Sequence, residues 1–300
     1  MAVVGRGTFA ALVAPGLRQV FLETGKKRPL EYTALFNVDT MTHNPVTDRQ
    51  ISGLGTLPVK PEGSQFTLDQ PILGGTKSYT AVAYASAFEV TWEMWRDELY
   101  GIMKDMAAEQ SRGSVNRQEV QAWSIINNGF STSFTGFTAA ESLFSTAHAG
   151  LDGASRANRP SPDVSFSQTG IQNAIIRFEN MTDERGLPRL MAPTLAIVSP
   201  ANKFAAREIL GSLGKPYTSD NEINALIEED LSWMVSHYLT AAASWLLAVS
   251  KGEHDLNYLW RDQPIFDSFD DPWTKNAVFT VYQRHAEGYG SWRGVDGSTG

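Results

Sequence analysis

The residues best suited to acid–base or metal chemistry are His43, His148, His237, His254 and His285, and their spacing serves neither. No two stand four apart on a helix, and no His-Glu-x-x-His run exists, so a zinc centre has no ligand pattern to start from. The chain has no cysteine, which removes disulfides, thiolate ligands and thiol nucleophiles together. No Gly-x-Ser-x-Gly elbow marks a hydrolase serine. Gly211-Ser212-Leu213-Gly214-Lys215 has the wrong spacing for a phosphate-binding loop, and Gly288-Tyr289-Gly290 lacks the strand-to-helix setting of a dinucleotide site. Two acidic clusters remain, Glu228-Glu229-Asp230 and Asp270-Asp271. Neighbours in a helix or strand point apart, so neither makes a convergent carboxylate pair. They read as exposed polar residues. A carboxylate-dependent hydrolase would have to draw its pair from distant positions among the 33 acidic residues and set it in a concave pocket. No cofactor or metal is expected.

With so little chemistry in view, composition carries more weight. The chain has 300 residues, enough for two domains or one elaborate one. Apolar residues make up 42% and charged residues 19%, below the roughly 25% usual in a globular domain. The shortfall leaves neutral surface that suits burial against copies of the same chain. Net charge is −8, and the only basic run is Lys26-Lys27-Arg28. A protein that lives by gripping nucleic acid usually shows a basic face, and this balance argues against one, but not against a protein that encloses nucleic acid. The absence of cysteine fits assembly in a reducing cytoplasm. The longest nearly apolar stretch, Leu239 to Val249, is too short to span a bilayer. The short apolar run Phe9 to Ala14 lacks the length of a signal peptide and is read as part of the working protein.

The elements that position these residues begin with a segment from Thr8 to Leu22, where Phe9, Leu12, Val13, Val20 and Phe21 fall at helical spacing, interrupted by Pro15-Gly16. Nothing after it in sequence offers a packing partner, so it reads as an arm that docks on a neighbouring subunit. Residues 46–78 are dense in Gly and Pro around short alternating stretches, which suits an extended hairpin with turns at Pro61-Glu62-Gly63 and Gly74-Gly75. The hairpin has no core of its own and must lie on something else. Removing Gly53 to Gly74 is therefore expected to spare folding. Tyr79–Thr91 reads as a strand. From Trp92, through Trp95, Leu99, Ile102, Met103 and Met106 to Val120, Trp123 and Ile126, the period is helical, with a kink or a split in two expected at Gly113-Ser114 and a stop at Gly129. Helical spacing makes the three tryptophans core or interface residues, not a stacking site. An irregular region over 130–166 leads to a helix capped by Ser167 with Ile171, Ala174, Ile175 and Phe178 inward. A buried strand at 194–198 comes next, then a helix opened by Ser199-Pro200 with Ala201, Phe204, Ala205 and Ile209 as inner face. Further strands are expected at Trp233–Leu239, Ser244–Ser250, Leu256–Arg261, Ala277–His285 and Tyr289–Val295. The class is α+β, with no internal repeat.

This order of elements resembles the major capsid proteins of tailed bacteriophages, which share the Hong Kong ninety-seven fold, and within them the Mu-like major head subunit family. Four stretches carry the resemblance: Phe88-Glu89-Val90-Thr91 through Trp95-Arg96-Asp97; Leu143-Phe144-Ser145-Thr146-Ala147-His148; Ala192-Pro193-Thr194-Leu195-Ala196-Ile197-Val198-Ser199-Pro200; and Gly290-Ser291-Trp292-Arg293-Gly294. None is a chemical motif; their order is the signal.

The resemblance implies an N-terminal arm (1–45), an extended hairpin loop or E-loop (46–78), a peripheral domain with a long spine helix (79–166), an axial domain (167–270) and a return to the peripheral domain (271–300). It implies a structural protein, not an enzyme, that partners with itself as hexamers and pentamers in an icosahedral shell. The shell encloses double-stranded DNA without sequence-specific or membrane contact. Scaffold, portal and decoration proteins would be separate chains, assembly would take place in the host bacterial cytoplasm, and the product would be the virion capsid. Candidate inter-subunit contacts are Phe9 and Leu12 in the arm and Pro61, Glu62, Gly63, Ser64 and Phe66 in the hairpin. Some relatives crosslink Lys to Asn between subunits; Lys60 and Lys77 lie near the hairpin, where solvation explains a lysine equally well. The alternative on the same fold is a phage-derived, encapsulin-like nanocompartment shell for protein cargo.

Overall fold

The computed structural model describes residues 9–97, 100–138, 141–214, 223–271, 273–274 and 276–300, with the side chains of Phe9, Ala11, Leu12, Trp95 and Tyr100 outside that description. The elements run α1 (Phe9–Lys26), α2 (Tyr32–Leu35), β1 (Asn37–Thr40), β2 (Val46–Ile51), β3 (Leu73–Tyr79), β4 (Val82–Val90), α3 (Trp92–Arg96), α4 (Tyr100–Asn127), β5 (His148–Ala149), β6 (Ser155–Arg156), α5 (Gln168–Glu179), β7 (Leu195–Val198), α6 (Lys203–Gly211), β8 (Ser232–Val235), β9 (Trp245–Ala248), β10 (Leu256–Asp270), β11 (Ala277–Tyr289) and β12 (Val295–Ser298). One sheet has the order β1-β10-β11-β4, a second β12-β9-β7-β8, and β2-β3 and β5-β6 pair separately. Among the described residues no helix is long and apolar enough to cross a membrane.

The spine helix forms, with its break displaced from the expected place. Thr91 caps α3 by accepting from the Met94 amide at 3.2 Å, and the Asp97 amide closes on Glu93. α4 then runs 28 residues, about 42 Å, straight through Gly113-Ser114. The Ser114 hydroxyl points away from the helix backbone and donates to Gln283 on β11 at 2.8 Å. Met103, Ala107, Val115, Trp123 and Ile126 are buried beneath it, whereas Ile102 and Val120, expected inward, are exposed.

The arm is the clearest correction. Residues 9–26 make one uninterrupted helix that packs on its own subunit. Ala10, Val13, Leu17 and Phe21, at i, i+3 and i+4 steps, are buried with Val90, Met103, Ala107, Phe266, Phe279 and Val281. Phe21 lies 5.3 Å from Phe266, which stacks 6.0 Å from Phe279. Ser111 donates to the Phe21 carbonyl at 2.7 Å, and the Ala10 amide to Asp270 at 2.9 Å. Pro15 is tolerated because it faces solvent, where water can serve the carbonyl its missing N–H leaves free. The helix's partners lie about 90 and 250 residues away along the chain, which is why inspecting the residues next to it finds none.

The next segment is tied down by one buried carboxylate. Glu119 on α4 accepts from the backbone amides of Glu31 (2.6 Å) and Tyr32 (3.1 Å) and from the Trp123 indole (3.0 Å), and burial raises its pKa. Tyr32, Leu35, Phe36 and Trp123 thereby join a core that continues through α5, β7 and β9.

α5 matches expectation: Ser167 accepts from the Gly170 amide at 3.1 Å, and Ile171, Ala174, Ile175 and Phe178 are buried. α6 does not. Residues 200–202 form a 3₁₀ turn before it, which takes Ala201 out of the α-helix. Ala206, Ile209 and Leu210 face inward, and Phe204 is 72% exposed. The Ser199 hydroxyl donates to the Ala242 carbonyl instead of capping.

β10 and β11 form a ribbon much longer than expected, registered from Leu256↔Tyr289 to Asp270↔Ala277 with bulges between Trp260 and Ile265. This pairing runs across the expected 270/271 boundary. The chain after it does not simply return to the first sheet: β11 pairs with β4, while β12 pairs with β9 in the second.

Candidate assembly surfaces

The hairpin has a rigid root and a bare end. β2 and β3 pair from Val46↔Tyr79 to Ile51↔Leu73. Pro61-Glu62-Gly63 turns as expected: the Ser64 amide and hydroxyl both donate to the Pro61 carbonyl (3.1 and 2.7 Å), and Gly63 has φ +77°. Gly74-Gly75 is no turn; both lie inside β3. A Cβ on Gly75 would sit 1.9 Å from the Phe137 carbonyl oxygen, so this glycine permits close approach of two backbones. The root is fastened further by Lys77 Nζ donating to the Thr135 carbonyl at 2.5 Å and Gln50 Nε2 donating to Glu184 at 2.6 Å. The Ser52 amide and the Ile72 carbonyl close the last pair at 2.9 Å.

Past that point residues 53–71 form no strand. Leu54, Leu57, Val59, Phe66 and Leu68 project into solvent, Leu57 at 97% exposure and Phe66 at 82%. Lys60 Nζ stands 5.2 Å over the Phe66 ring. Five large apolar side chains exposed on one loop make it the candidate contact surface. Of the candidate contacts, Pro61, Glu62, Gly63, Ser64 and Phe66 are gathered at this end, all exposed except the half-buried Ser64. Phe9 and Leu12 belong to a different element, the first turn of α1, and their side chains lie outside the described residues.

Sequence reasoning missed a junction beneath the hairpin. Two of the stretches that carry the family resemblance meet there. His148 stacks on Trp292 with centroids 4.0 Å apart and planes at 3°. The Arg293 guanidinium lies 4.6 Å from the same tryptophan and pairs with Glu184. Between the stretches sits Asn158, fully buried. Its Nδ2 donates to the carbonyls of Leu143 (2.8 Å) and Val295 (3.0 Å), and its Oδ1 takes the Ser145 amide and faces His148 Nε2, each at 2.9 Å. An Asn in a Ser/Gly/Pro-rich region gives no periodic signal, so nothing in the sequence singles it out.

Several of the titratable groups make contacts within the fold. His148 also reaches Glu141 at 3.2 Å, and exposed His237 pairs with Glu31 at 2.6 Å. Asp230 holds a left-handed turn, and Asp271 accepts from the Trp273 amide and the Thr274 hydroxyl. Among the described residues no three His, Asp or Glu side chains are grouped to hold a metal. A groove of about 650 Å³ lies between the hairpin root and the 183–189 turn. Three of its four lining carboxylates are bonded within the fold, Asp183 to the amides of Arg185 and Leu187, Glu184 to Gln50, Leu151 and Arg293, and Asp255 to the Ser291 amide; the fourth is Asp48 on β2.

Burial lowers the pKa of His148 and of His254. A depressed histidine stabilises the fold above its unfolded pKa, near 6.5, and loses that contribution as pH falls through its folded value. Asp296, pushed up to about 6 by burial despite its bidentate pairing with Arg177 (2.6 and 2.7 Å), works in the opposite sense over the same range. The expected result is seen by difference. On acidification from about pH 7 to pH 5, a His148→Gln variant loses less unfolding free energy than the parent, by up to about 1.4 kcal/mol per pH unit, measured by urea unfolding of unassembled subunits. Parallel pH profiles would count against it.

A family model described as phage capsid protein matches residues 74–295. No curated protein sequence matches the chain. Among solved structures, a chain from Microbacterium phage Oxtober96 is 12% identical with TM-score 0.57, covering 90% of this chain and 91% of its own. The capsid of cyanophage P-SCSP1u is 10% identical with TM-score 0.57, covering 90% and 88%. A virus-like particle from Pyrococcus furiosus is 10% identical with TM-score 0.51, covering 94% and 97%. At such identities the structural likeness speaks for the fold.

Proposed function

The chain belongs to the phage capsid protein family, a shell-forming structural protein with the Hong Kong ninety-seven fold, and on that ground we propose that it closes an icosahedral head as hexamers and pentamers around double-stranded DNA. One observation carries the reading: a loop with five large exposed apolar side chains stands on a root that is rigidly fastened to its subunit. A loop so composed gains its burial from an adjacent copy, and ring closure multiplies each weak contact.

In this reading the hairpin 46–78 reaches across a neighbour, with Pro61 to Ser64 and Phe66 in contact. Phe9 and Leu12 are contacts at the start of α1, whose later turns serve its own subunit. The peripheral unit comprises α1, α3, α4 and the β1-β10-β11-β4 sheet; the axial unit comprises α5, α6 and the β12-β9-β7-β8 sheet. The net charge of −8 suits a wall that encloses DNA without gripping it. Scaffold, portal and decoration functions fall to separate proteins, and assembly takes place in the bacterial cytoplasm. The family match favours a phage head over a compartment for protein cargo.

The test is particle size. Purified subunits, with co-expressed scaffold where needed, give capsomer rings or closed shells by electron microscopy. A monodisperse monomer under every assembly condition would overturn the proposal.

A further inference from the structure

The loop's direction rests on one side chain. Beyond the Ser52–Ile72 pair the two legs have no ladder, and their large apolar side chains from Leu54 to Leu68 are exposed, so hydrophobic packing does little to hold the loop. What holds it is Arg185, on the turn after α5. Its Nη1 donates to both oxygens of Asp69 (2.9 and 3.2 Å), its Nη2 to the Gln70 carbonyl, and its Nε to the Ser52 hydroxyl at 3.5 Å. Asp69 in turn accepts from the Gly55 amide at 2.6 Å and so ties the opposite leg. One guanidinium therefore grips both legs. The turn that carries it is itself anchored, since Asp183 takes the Arg185 and Leu187 amides and Glu184 takes Gln50, Leu151 and Arg293.

We infer that Arg185 is a reversible latch that fixes the pitch of the hairpin loop against its own subunit, and that the loop swings about the 52/72 junction when the latch opens. The hinge lies at that junction because the root below is fastened to the body: Gly75 is pressed on the Phe137 backbone and Lys77 is bonded to Thr135. Release is feasible because both partners touch water, at 18% and 39% side-chain exposure. An ion pair of this kind shifts an equilibrium by a factor of about 2–5 and weakens with salt. The device goes beyond shell formation. It sets which loop directions an unassembled subunit presents, and it can fail while shells still form.

The chain has no cysteine, so two can be introduced cleanly. Nitroxide labels on Gln65→Cys in the loop and Glu179→Cys on α5 report the loop-to-body distance by pulsed electron resonance on unassembled subunits. The expected result at low salt is one narrow distribution in the parent, about twice as wide in Arg185→Gln and Asp69→Asn and intermediate in Arg185→Lys. About 1 M salt broadens the parent and leaves Arg185→Gln unchanged. Asp69→Asn lies on the exposed loop and tests the idea even where the turn variant folds poorly. A parent as broad as the variants, or variants as narrow as the parent, would overturn the latch.

Discussion

Replacing Gly53–Pro71 with a two-residue Asn-Gly turn is expected to leave a folded subunit that no longer closes shells. The structure sharpens the limits of this deletion: Gly74 belongs to the β3 ladder, beside the glycine contact with Phe137, and must stay. The Ser52–Ile72 pair then sits beside the new turn, a geometry that suits Asn-Gly. Little stability within the subunit is lost, because the large apolar side chains removed are exposed. The melting shift should stay within about 2–4 °C, the equivalent of about 1 kcal/mol. Between subunits the loss is large. Each of the five side chains gains about 1.5–3 kcal/mol if fully buried by a neighbour, an upper bound repeated at every contact around the shell. Circular dichroism reads the first half and electron microscopy the second. Parent-sized shells from the deleted protein would refute the role given to the loop; a collapse of secondary structure would refute its independence from the core.

Asn158→Ala is expected to do the reverse and strike the fold. The buried amide joins residues 143–148 to 292–297, and its removal strands the Leu143 and Val295 carbonyls and the Ser145 amide away from water. A buried group without a partner costs about 1–3 kcal/mol, so a total loss of about 3–5 kcal/mol is expected, or about 6–20 °C in melting temperature. Asn158→Asp keeps the acceptor, loses the donors, and should fall no less far. A loss under about 1 kcal/mol, by denaturant unfolding of unassembled subunits, would show that the two segments are held by packing alone.

The elements that were legible in the sequence are those whose physics is local. Ser167 ahead of Ile171, Ala174, Ile175 and Phe178 predicts α5 and its buried face, because capping and a 3.6-residue period involve only neighbours along the chain. Pro61-Glu62-Gly63 predicts its turn for the same reason. The misreadings share a different cause. Gly74-Gly75 is a turn signal by composition, yet the pair lies inside a strand because a backbone from residue 137 presses on it. Phe204 is expected inward from its spacing to Ala201 and Ala205, yet within α6 it stands five residues, about 140° around the helix, from the buried Ile209 and faces solvent.

Read without coordinates, the chain specifies its list of parts: a long helix, a coreless hairpin, an α+β body and no reactive constellation. Each comes from periodicity, propensity or composition, which act over a few residues. Where the parts go is a tertiary matter. Packing laid α1 on Phe266 and Phe279 of its own subunit, joined residues 143–158 to the C-terminal strand through Asn158, and put Arg185 under the loop. Those outcomes depend on burial and hydrogen-bond satisfaction between residues about 90 to 250 positions apart, and no window along the chain contains both partners.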